Sequence, residues 1–342
     1  MYSGTIMSAT LKDVAREACV SVASVSRVLN GTGVVGEEIR ARVAAVAARL
    51  NYAPNIGAQS LMTRRTRLIG MLLPRLHGEF FSELIRGADE AARELGMHLL
   101  ISTSHEDTDE TSRALRAMNG RVDGLLAMLP QVNGTFLQET MRSDLPIMLI
   151  STADVEHACG SMHVDNYGGA YAMVRHLAGC GHRYIAHIRG RRDNIDAEER
   201  LRGYRDAMEQ VVPGGRELIL HGDFTEEFGY QAAQEILALT RRPQAIFAAN
   251  DLMAIGCMSA LMEAGVAVPE QIAVVGFDDI TTARYVRPAL TTVCVKIADL
   301  GRRAVSRLAH AIVTPSELPP DTETVPAEVV IRKSCGSVST RP

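Results

Sequence analysis

The chain has 342 residues, of which 46% are hydrophobic, and this length predicts two or three domains with large cores. Its formal net charge of -4 is unevenly spread: residues 1–67 hold nine Lys and Arg against four Asp and Glu, and the remainder holds 27 against 36. No stretch is apolar over a membrane-spanning length, which excludes an integral membrane protein. The basic N-terminal part favours contact with nucleic acid phosphates.

The N-terminal segment and the cysteines indicate the cellular compartment. Residues 1–10 hold no basic region followed by an apolar run, so we expect no secretory signal and a cytoplasmic protein. The six cysteines form no Cys-x-x-Cys pair and lack zinc-site spacing, which predicts neither disulfides nor a metal site. Nothing in the sequence indicates a cofactor.

The segment from Thr10 to Asn30 predicts two short helices joined by a tight turn. The first helix has an apolar face formed by Leu11, Val14, Ala15 and Ala18. Ser21 is placed to cap the second helix through its hydroxyl. The core positions of that helix are Val25, Val28 and Leu29, and its outer positions are Val22, Ala23, Ser24 and Arg27. This layout is typical of a helix-turn-helix, whose second helix enters the major groove of DNA.

A third helix is expected from Glu37 to Leu50, followed by a helix stop and restart at residues 51–55. A short helix then runs to Met62, started by Pro54 or by the residue after it. This helix is too short to be stable alone, and Gly57 weakens it further. A basic linker follows.

From Leu68 onward, short apolar strands alternate with amphipathic helices. The predicted strands are Leu68–Leu73, His98–Thr103, Gly124–Leu129, Ile147–Ile150, Ser161–Val164, Tyr184–Ile188, Glu217–Leu220, Ala245–Ala248, Ile272–Gly276 and Thr292–Val295. The predicted helices between them include Phe80–Leu95, Tyr167–Ala178, Ala197–Gln210, Glu226–Leu239 and Asp251–Ala264. The pattern predicts a small all-α headpiece followed by an α/β core of two doubly wound parallel-sheet subdomains. Ligands of such folds bind beyond the carboxyl ends of the strands.

Motifs of catalysis are missing from the sequence. It has no Gly-x-Ser-x-Gly, no P-loop, and no Gly-x-Gly-x-x-Gly that opens a helix after a strand. We therefore predict that the protein is not an enzyme.

Several segments, taken with the helix pair, resemble the lac repressor family of bacterial transcription regulators. The segments are Leu68–Gly70, Phe80–Gly87, Val122–Leu126, Gly181–Ala186, Arg200–Tyr204, Ala249–Asp251, Val274–Asp279 and Pro288–Val293. Their order and number make the resemblance specific, and it is nearest to the ribose and purine repressor branches. It runs from about Ala9 to Lys333, and the body also resembles periplasmic sugar-binding proteins.

The resemblance implies three functional regions. A DNA-binding headpiece occupies residues 9–53, a hinge helix with its linker occupies 54–67, and an effector-binding and dimerising core occupies 68–335. Within the core it implies an N-subdomain of about 68–165 and 297–322, and a C-subdomain of about 166–294 and 323–335.

The resemblance also implies roles in DNA binding. Val22 and Ala23 occupy positions that vary with the operator, and being apolar they suit thymine methyls and base edges. Arg27 occupies the position of an arginine that reads guanine in the major groove, with a phosphate contact as the alternative. The contacts that position the DNA backbone are Thr10, Ser21, Ser24, Ser26, Asn30, Tyr52 and Asn55. Ala58 is a further contact of the hinge helix. Leu61 matches a leucine that enters the minor groove and kinks the duplex, unless it only packs as a linker residue.

In the core, Arg200, Asn250 and Asp278 fall on positions that hold polar groups of small molecules in the family, which suits a sugar. Phe81 and Phe224 would be platforms for a ring, unless they only pack in the core. Ser151 departs from the pattern, since several relatives have an acidic residue there. The extra cationic candidates near the cleft, which would favour a sugar acid or phosphate, are Arg75, His77, Arg191 and Arg192.

The sequence thus predicts a homodimeric repressor of carbohydrate-utilisation genes that binds a pseudo-palindromic operator and responds to a small sugar-like effector. No trailing Leu heptad follows the core, which favours a dimer over a tetramer. Two alternatives share the fold: a global carbon-control regulator that responds to a phosphorylated carrier protein, and a purine-type co-repressor response. A third is a sugar-processing enzyme with a DNA-binding head.

Overall fold

The structure is a computed structural model. It describes residues 9–30, 34–52, 65–105, 107–129, 136, 140, 145–152, 160–192, 194–314 and 322–336. The chain forms two compact units, Met1–Thr66 and Arg67–Pro342. No helix among the described residues has the length and apolar character needed to cross a membrane.

Among its described residues, the first unit has three helices, α1 (Leu11–Glu17), α2 (Val22–Asn30) and α3 (Glu37–Arg49). Their small core contains Val14, Ala15, Ala18, Val25, Val43, Val46 and Ala47. Thr10 and Asp13 begin α1 with a reciprocal capping box, in which each side chain accepts a hydrogen bond from the other residue's backbone. Ser21 Oγ accepts a hydrogen bond from Ser24 N at 3.1 Å. The predicted helix pair and the cap at its second helix are confirmed.

The second unit contains two parallel sheets. The first sheet has six strands: β1 (Leu68–Leu73), β2 (His98–Thr103), β3 (Gly124–Met128), β4 (Ile147–Ile150), β5 (Gly160–Val164) and β11 (Thr322–Val325). Their order is β11-β5-β4-β3-β1-β2. In the part of this half that the structure describes, the helices are α4 (Glu79–Glu94), α5 (Thr108–Met118) and α10 (Ile297–Val313). Of these, α4 and α10 pack closely, because Gly87 and Gly301 leave room for the facing backbone.

The second sheet has four strands: β6 (Tyr184–Ile188), β7 (Arg216–Leu220), β8 (Ala245–Ala248) and β9 (Ala273–Val275), in the order β7-β6-β8-β9. Its helices are α6 (Asn166–Gly179), α7 (Ile195–Val211), α8 (Glu226–Leu237) and α9 (Asp251–Glu263), and a 3-10 turn spans Thr281–Arg284. All pairings in both sheets are parallel, so the predicted α/β fold class is confirmed.

The two halves of the second unit are connected near a two-stranded antiparallel pair, β10 (Thr292–Cys294) with β12 (Glu328–Val330). The last boundary between the subdomains was predicted between residues 322 and 323, and the structure places it a few residues later. Strand β11 pairs with β5 through Val325, whose carbonyl also accepts a hydrogen bond from Asp165 N at 2.9 Å. Backbone pairing therefore keeps the whole strand in the first sheet, and the chain leaves that sheet after Val325 rather than at residue 322.

Four elements of the core were not predicted as a helix or strand: α5, α10, β11 and β12. In α5 only Thr111, Leu115 and Met118 are buried, so its apolar row is narrow. In β11 only Val325 is buried, and β12 has three residues. Strands β11 and β12 therefore carry little periodicity, and their structure depends on neighbours that are distant in sequence. The helix α10 is different, because it has 17 residues with a buried row at helical spacing, which the sequence does show.

Candidate functional site

The outer face of α2 is free of contacts with the core of its unit. Val22 is 40% exposed and Ala23 is exposed, whereas Val25, on the opposite side, is completely buried. Arg27 is also exposed. The start of α2 therefore presents two small apolar side chains and a guanidinium on one surface. These groups match the thymine methyl and the guanine edge of the major groove.

The predicted backbone-contacting hydroxyls are partly used within the protein. Thr10 Oγ1 donates a hydrogen bond to Asp13 Oδ2 at 2.6 Å, which together with the backbone hydrogen bond lowers the pKa of Asp13. Ser21 Oγ and Ser24 Oγ lie 2.8 Å apart. Because these hydroxyls fix the starts of α1 and α2, they also fix the direction in which the exposed backbone N–H groups of those helix starts point.

The remaining predicted DNA contacts lie further along α2, after α3 and in the predicted hinge. Ser26 is half-buried, and Asn30 is the last residue of α2. Tyr52 is half-buried, packs against the core of the first unit, and its N–H donates to Ala47 O at 2.9 Å. The predicted hinge residues Asn55, Ala58 and Leu61 lie outside the described residues.

In the second unit, one cavity opens at the carboxyl ends of the strands of both sheets, where a doubly wound fold binds its ligands. Residues 74–78 follow β1, residues 194–196 follow β6, and Phe224, Asn250 and Asp278 follow β7, β8 and β9. The space between the lining atoms, part of it open to solvent, is about 650 Å³.

The cavity brings together five of the six predicted effector residues. The five that line it are Phe81, Arg200, Phe224, Asn250 and Asp278, and two of the extra cationic candidates, Arg75 and His77, line it as well. Arg191 and Arg192 are not among the lining residues, and Arg192 Nη2 instead lies 3.0 Å from His221 Nε2. Ser151 does not line the cavity, but its side chain is hydrogen-bonded to Asp196, which does.

Arg200 is held from four sides. Its Nε donates to Asn166 Oδ1 at 2.8 Å, and its Nη1 donates to the Ala249 carbonyl. Its guanidinium carbon lies 3.8 Å from the centre of the Phe277 ring, a cation–π contact. Its Nη2 lies 3.4 Å from Asp278 Oδ1. The guanidinium is therefore oriented before any ligand arrives.

Asp278 is a buried polar group of the cavity with an oxygen that lacks a hydrogen bond. It is 5% exposed, and its Oδ1 accepts no hydrogen bond. Burial raises the pKa of Asp278 to about 7, although Arg200 opposes this rise. Leaving a buried acceptor unsatisfied is costly, so an incoming hydroxyl that donates to Oδ1 gains more than it would from an exposed carboxylate.

Asp196 is the second acidic group of the cavity, and sequence reasoning missed it. Burial raises its pKa, while Arg200 and the hydrogen bonds from Ser151 and Asn166 lower it. Asn166 Nδ2 donates to Asp196 Oδ1 at 2.7 Å, so one amide connects this carboxylate to Arg200. Its position in the first turn of α7, the helix that follows β6, is the signal that could have identified it.

Asn250 has a structural role in addition to its position in the cavity. Its Oδ1 caps α9 by accepting from Met253 N at 3.0 Å, and its Nδ2 donates to the Phe224 carbonyl at 3.0 Å. Asn250 therefore holds the loop of Phe224 in place. The second N–H of Nδ2 and the second lone pair of Oδ1 are the groups that a ligand could contact, so its predicted effector contact stays a prediction.

Backbone conformation supports the assignment of this cavity. Ser151, Phe224 and Asp278 have positive φ values of 49°, 73° and 114°. Non-glycine residues rarely adopt these conformations, and they cluster at ligand-binding sites, where surrounding structure holds them. The ring of Phe224 lies directly over Gly190, where a Cβ atom would be 2.2 Å from its Cζ.

Two contacts join the halves of the core beside the cavity. The Glu79 carboxylate, at the start of α4, accepts hydrogen bonds from Thr282 N at 3.1 Å and from Thr282 Oγ1. His77 Nε2 lies 3.7 Å from Glu226 Oε2 of α8. These side chains connect the loop after β1 and the start of α4 with the second half of the core.

Comparisons with known proteins agree with this geometry. Residues 10–55 match the family described as bacterial regulatory proteins, lacI family, and residues 174–335 match a periplasmic binding protein-like domain. The chain is 37% identical over 313 residues to the ribose operon repressor of Escherichia coli (strain K12), covering 90% of this chain and 94% of that protein.

Two solved structures are similar over most of this chain. The lac repressor dimer bound to operator and the anti-inducer ONPF has a TM-score of 0.86 and 28% identity, covering 97% of this chain and 100% of that chain. A LacI family transcriptional regulator from Enterococcus faecium with bound ribose has a TM-score of 0.70 and 26% identity, covering 78% and 98%.

Proposed function

This chain belongs to the lacI family of bacterial regulatory proteins, and we propose that it represses carbohydrate-utilisation genes under the control of a small sugar-like effector. It acts as a homodimer on double-stranded DNA in the cytoplasm. Residues 9–53 bind the operator, residues 54–67 form the hinge, and residues 68–335 bind the effector and the second subunit.

The observation that carries the DNA-binding function is the exposed start of α2. Val22, Ala23 and Arg27 are exposed on a helix whose opposite side is fixed by the buried Val25. Arg27 reads a guanine through its O6 and N7 atoms, and the two apolar side chains contact thymine methyls. The capped starts of α1 and α2 hold the DNA backbone and set the register of α2 in the groove.

The operator is a pseudo-palindrome, because two-fold symmetry of a dimer is mirrored in its DNA. The similar lac repressor structure is a dimer bound to operator. Leu61 of the hinge enters the minor groove at the centre of the site, a role proposed from the sequence alone. A hinge too short to fold alone is ordered by DNA, and a change in the core shifts that equilibrium.

The effector is a polyol such as a pentose or a close derivative. A carboxylate oxygen without a donor and a fixed guanidinium, 3.4 Å apart, complement adjacent hydroxyls on one ring. Phe81 and Phe224 contact the apolar face of that ring. Two similar proteins support this class of effector: the ribose operon repressor of Escherichia coli, and the regulator from Enterococcus faecium whose structure contains bound ribose.

We propose a regulator rather than an enzyme. A sugar hydrolase needs two carboxyl groups on either side of the bond that it cleaves, one of them protonated. Asp196 and Asp278 both have raised pKa values, so hydrolysis is the alternative to test. Prolonged incubation with the bound sugar, followed by mass spectrometry, should return the sugar unchanged.

Selection from a random pool of DNA duplexes by the full-length protein tests the DNA-binding proposal. We expect enrichment of an inverted repeat with half-sites one helical turn or a multiple of it apart. An asymmetric motif, or no enrichment at low salt, would contradict the proposal.

A thermal-shift screen of sugars, sugar acids, sugar phosphates and purines tests the effector class. We expect stabilisation by a neutral sugar, since ligands that bind only the folded state raise its stability. A purine as the sole hit would favour a co-repressor response. Stabilisation only by a phosphorylated carrier protein would favour carbon-control regulation.

A further inference from the structure

Three side chains of types that can bind a metal meet at one end of α6, two from that helix end and one from far along the chain. His176 lies in the last turn of α6, Cys180 caps its end, and Cys335 comes from the segment after β12. His176 Nε2 is 3.3 Å from Cys335 Sγ and 3.8 Å from Cys180 Sγ, and all three atoms lie within 4.8 Å of one another. We propose that this cluster binds one zinc-like metal ion.

The observed separations fit tetrahedral coordination with small adjustments. Zinc binds thiolate sulfur at about 2.3 Å and imidazole nitrogen at about 2.0–2.1 Å, so tetrahedral angles place ligand atoms about 3.6–3.8 Å apart. The nitrogen-to-sulfur separation of 3.3 Å is shorter than that range, and the one of 3.8 Å lies at its upper end. A disulfide between Cys180 and Cys335 would not involve His176, whereas a metal ion would bind all three side chains.

The backbone around the cluster is well held on both sides. Cys180 N donates to His176 O at 3.0 Å, which keeps the two side chains one helical turn apart on the same face. Next to Cys335, Ser334 Oγ donates to the Val274 carbonyl and accepts from Thr291 N at 2.8 Å. The third ligand is therefore anchored to the second sheet independently of the metal.

The chemistry of the ligands selects a soft cation. Two thiolates and one imidazole favour Zn²⁺ over oxygen-preferring ions such as Mg²⁺ or Ca²⁺. Binding of Zn²⁺ to the two thiols would break two S–H bonds, release two protons to solvent and form two Zn–S bonds. Three protein ligands leave one position for water or an external ligand.

The cluster is separate from the effector cavity. Asn166, which contacts Arg200, begins α6, and His176 lies ten residues further along the same helix. At a rise of about 1.5 Å per residue, the two sites are about 15 Å apart along the helix axis. A metal at the cluster would fasten the segment after β12 to the far end of α6. His182 already contacts that segment, with its Nε2 3.2 Å from the Cys335 carbonyl oxygen.

The test is titration of the reduced, metal-free, full-length protein with Zn²⁺ and, in parallel, with Co²⁺. We expect one equivalent of Zn²⁺ to bind, with proton release that depends on buffer ionisation, and we expect thiolate-to-cobalt charge-transfer absorption with Co²⁺. Cys335→Ser and Cys180→Ser should each weaken zinc binding by more than about 100-fold. Loss of a residue that only hydrogen-bonds to a metal ligand typically costs about 10- to 100-fold, and loss of a ligand itself should cost more. Cys19→Ser, which changes an exposed thiol of the first unit, is the matched control and should bind normally.

Three results would overturn the proposal. They are no thiolate–cobalt absorption in the reduced wild-type protein, unchanged zinc affinity in both cluster variants, and a Cys180–Cys335 disulfide as the only reaction of the pair. The wild-type cobalt spectrum decides the question even if a variant fails to fold. Zinc protection of Cys180 against alkylation, mapped by mass spectrometry, gives a second readout on the unchanged chain.

Discussion

Arg200 Nη2 lies 3.4 Å from Asp278 Oδ1, and both side chains are about 95% buried at the carboxyl ends of the second sheet. The pair differs from an ordinary buried ion pair in one respect. Arg200 has further partners in Asn166, Ala249 and Phe277, whereas Asp278 Oδ1 accepts no hydrogen bond. This asymmetry leaves a fixed cation beside a carboxylate that can still accept a ligand's hydroxyl.

Removal of Arg200 alone should be strongly destabilising. Arg200→Ala leaves the Asn166 amide oxygen and the Ala249 carbonyl buried without their donor, at a cost of about 1–3 kcal/mol each in the free energy of unfolding. It also removes the cation that opposes the rise in the pKa of Asp278, so this carboxyl becomes protonated at neutral pH. The double variant Arg200→Ala/Asp278→Ala should recover part of the loss, because the buried Asp278 carboxyl is gone. Urea unfolding of the wild type, both single variants and the double variant measures the coupling. Additive effects would contradict an interaction between the two side chains.

Asp278 should make the stability of the free core depend on pH. Its pKa is raised from an unfolded value near 3.8 to about 7, so between these values the folded state binds more protons than the unfolded state. The contribution of Asp278 to stability therefore falls as pH rises from about 4 to about 7. Asp196 and Asp251 also have raised pKa values, so the wild type must be compared with a single variant.

Asp278→Asn is that variant. The difference in unfolding free energy, wild type minus variant, should become more negative between about pH 4 and pH 7 and level off above pH 7. Thermal unfolding without ligand at unit pH steps checks this. A difference that is constant with pH would contradict the raised pKa.

Gly190 should be required for the position of the Phe224 ring. A Cβ at Gly190 would lie 2.2 Å from the ring, so Gly190→Ala must displace Phe224 at a cost of about 1–3 kcal/mol. Effector affinity should fall with it, because the ring lines the cavity. Calorimetric titration of the effector measures the loss. Gly179→Ala, where the added Cβ meets no atom within 4 Å, is the control and should bind normally.

Glu79 should stabilise the closed arrangement of the cavity. Its carboxylate accepts two hydrogen bonds from Thr282 of the other half, and hydrogen bonds to charged groups contribute about 1.5–3 kcal/mol each. Glu79→Ala should therefore weaken effector binding by at least about tenfold, which corresponds to about 1.4 kcal/mol. Glu83→Ala, which removes a carboxylate paired with Arg86 within the same helix, should have little effect. Equal losses in both variants would show a general effect on α4.

Arg27 should specify one base pair of the operator. Arg27→Ala should cost roughly 1–3 kcal/mol in operator affinity and relax the base preference at one position of each half-site. Arg40→Ala, on the exposed side of α3, tests a non-reading arginine and should not change base preference. Affinities for all single-base operator variants check this. An unchanged preference in Arg27→Ala would reassign the residue to a phosphate contact.

The positions that follow strands could be predicted from the sequence, because parallel strands place their carboxyl ends at one edge of a sheet. Phe224, Asn250 and Asp278 were identified from the family resemblance, and all three follow strands and line the cavity. The apolar runs of the strands likewise predicted most of the two sheets. Buried strands have a strong sequence signal that does not depend on distant neighbours.

The remaining features depend on contacts that no local pattern contains. Asp196 lies in a charged stretch and becomes buried only because Asn166 and Ser151 pack against it. The amide of Asn250 is used for capping, which residue type alone does not distinguish from ligand binding. His176 and Cys335 are 159 residues apart, so no spacing rule brings them together.

The measurement that tests the central claim most directly is operator affinity with and without saturating effector, in the wild type and in Asp278→Asn. Coupling between two sites of one protein is typically about 1–3 kcal/mol. We predict a change of roughly 5- to 150-fold in wild-type operator affinity and no change in the variant, whose affinity without effector should match the wild type. An equal response of both proteins would contradict control through this cavity.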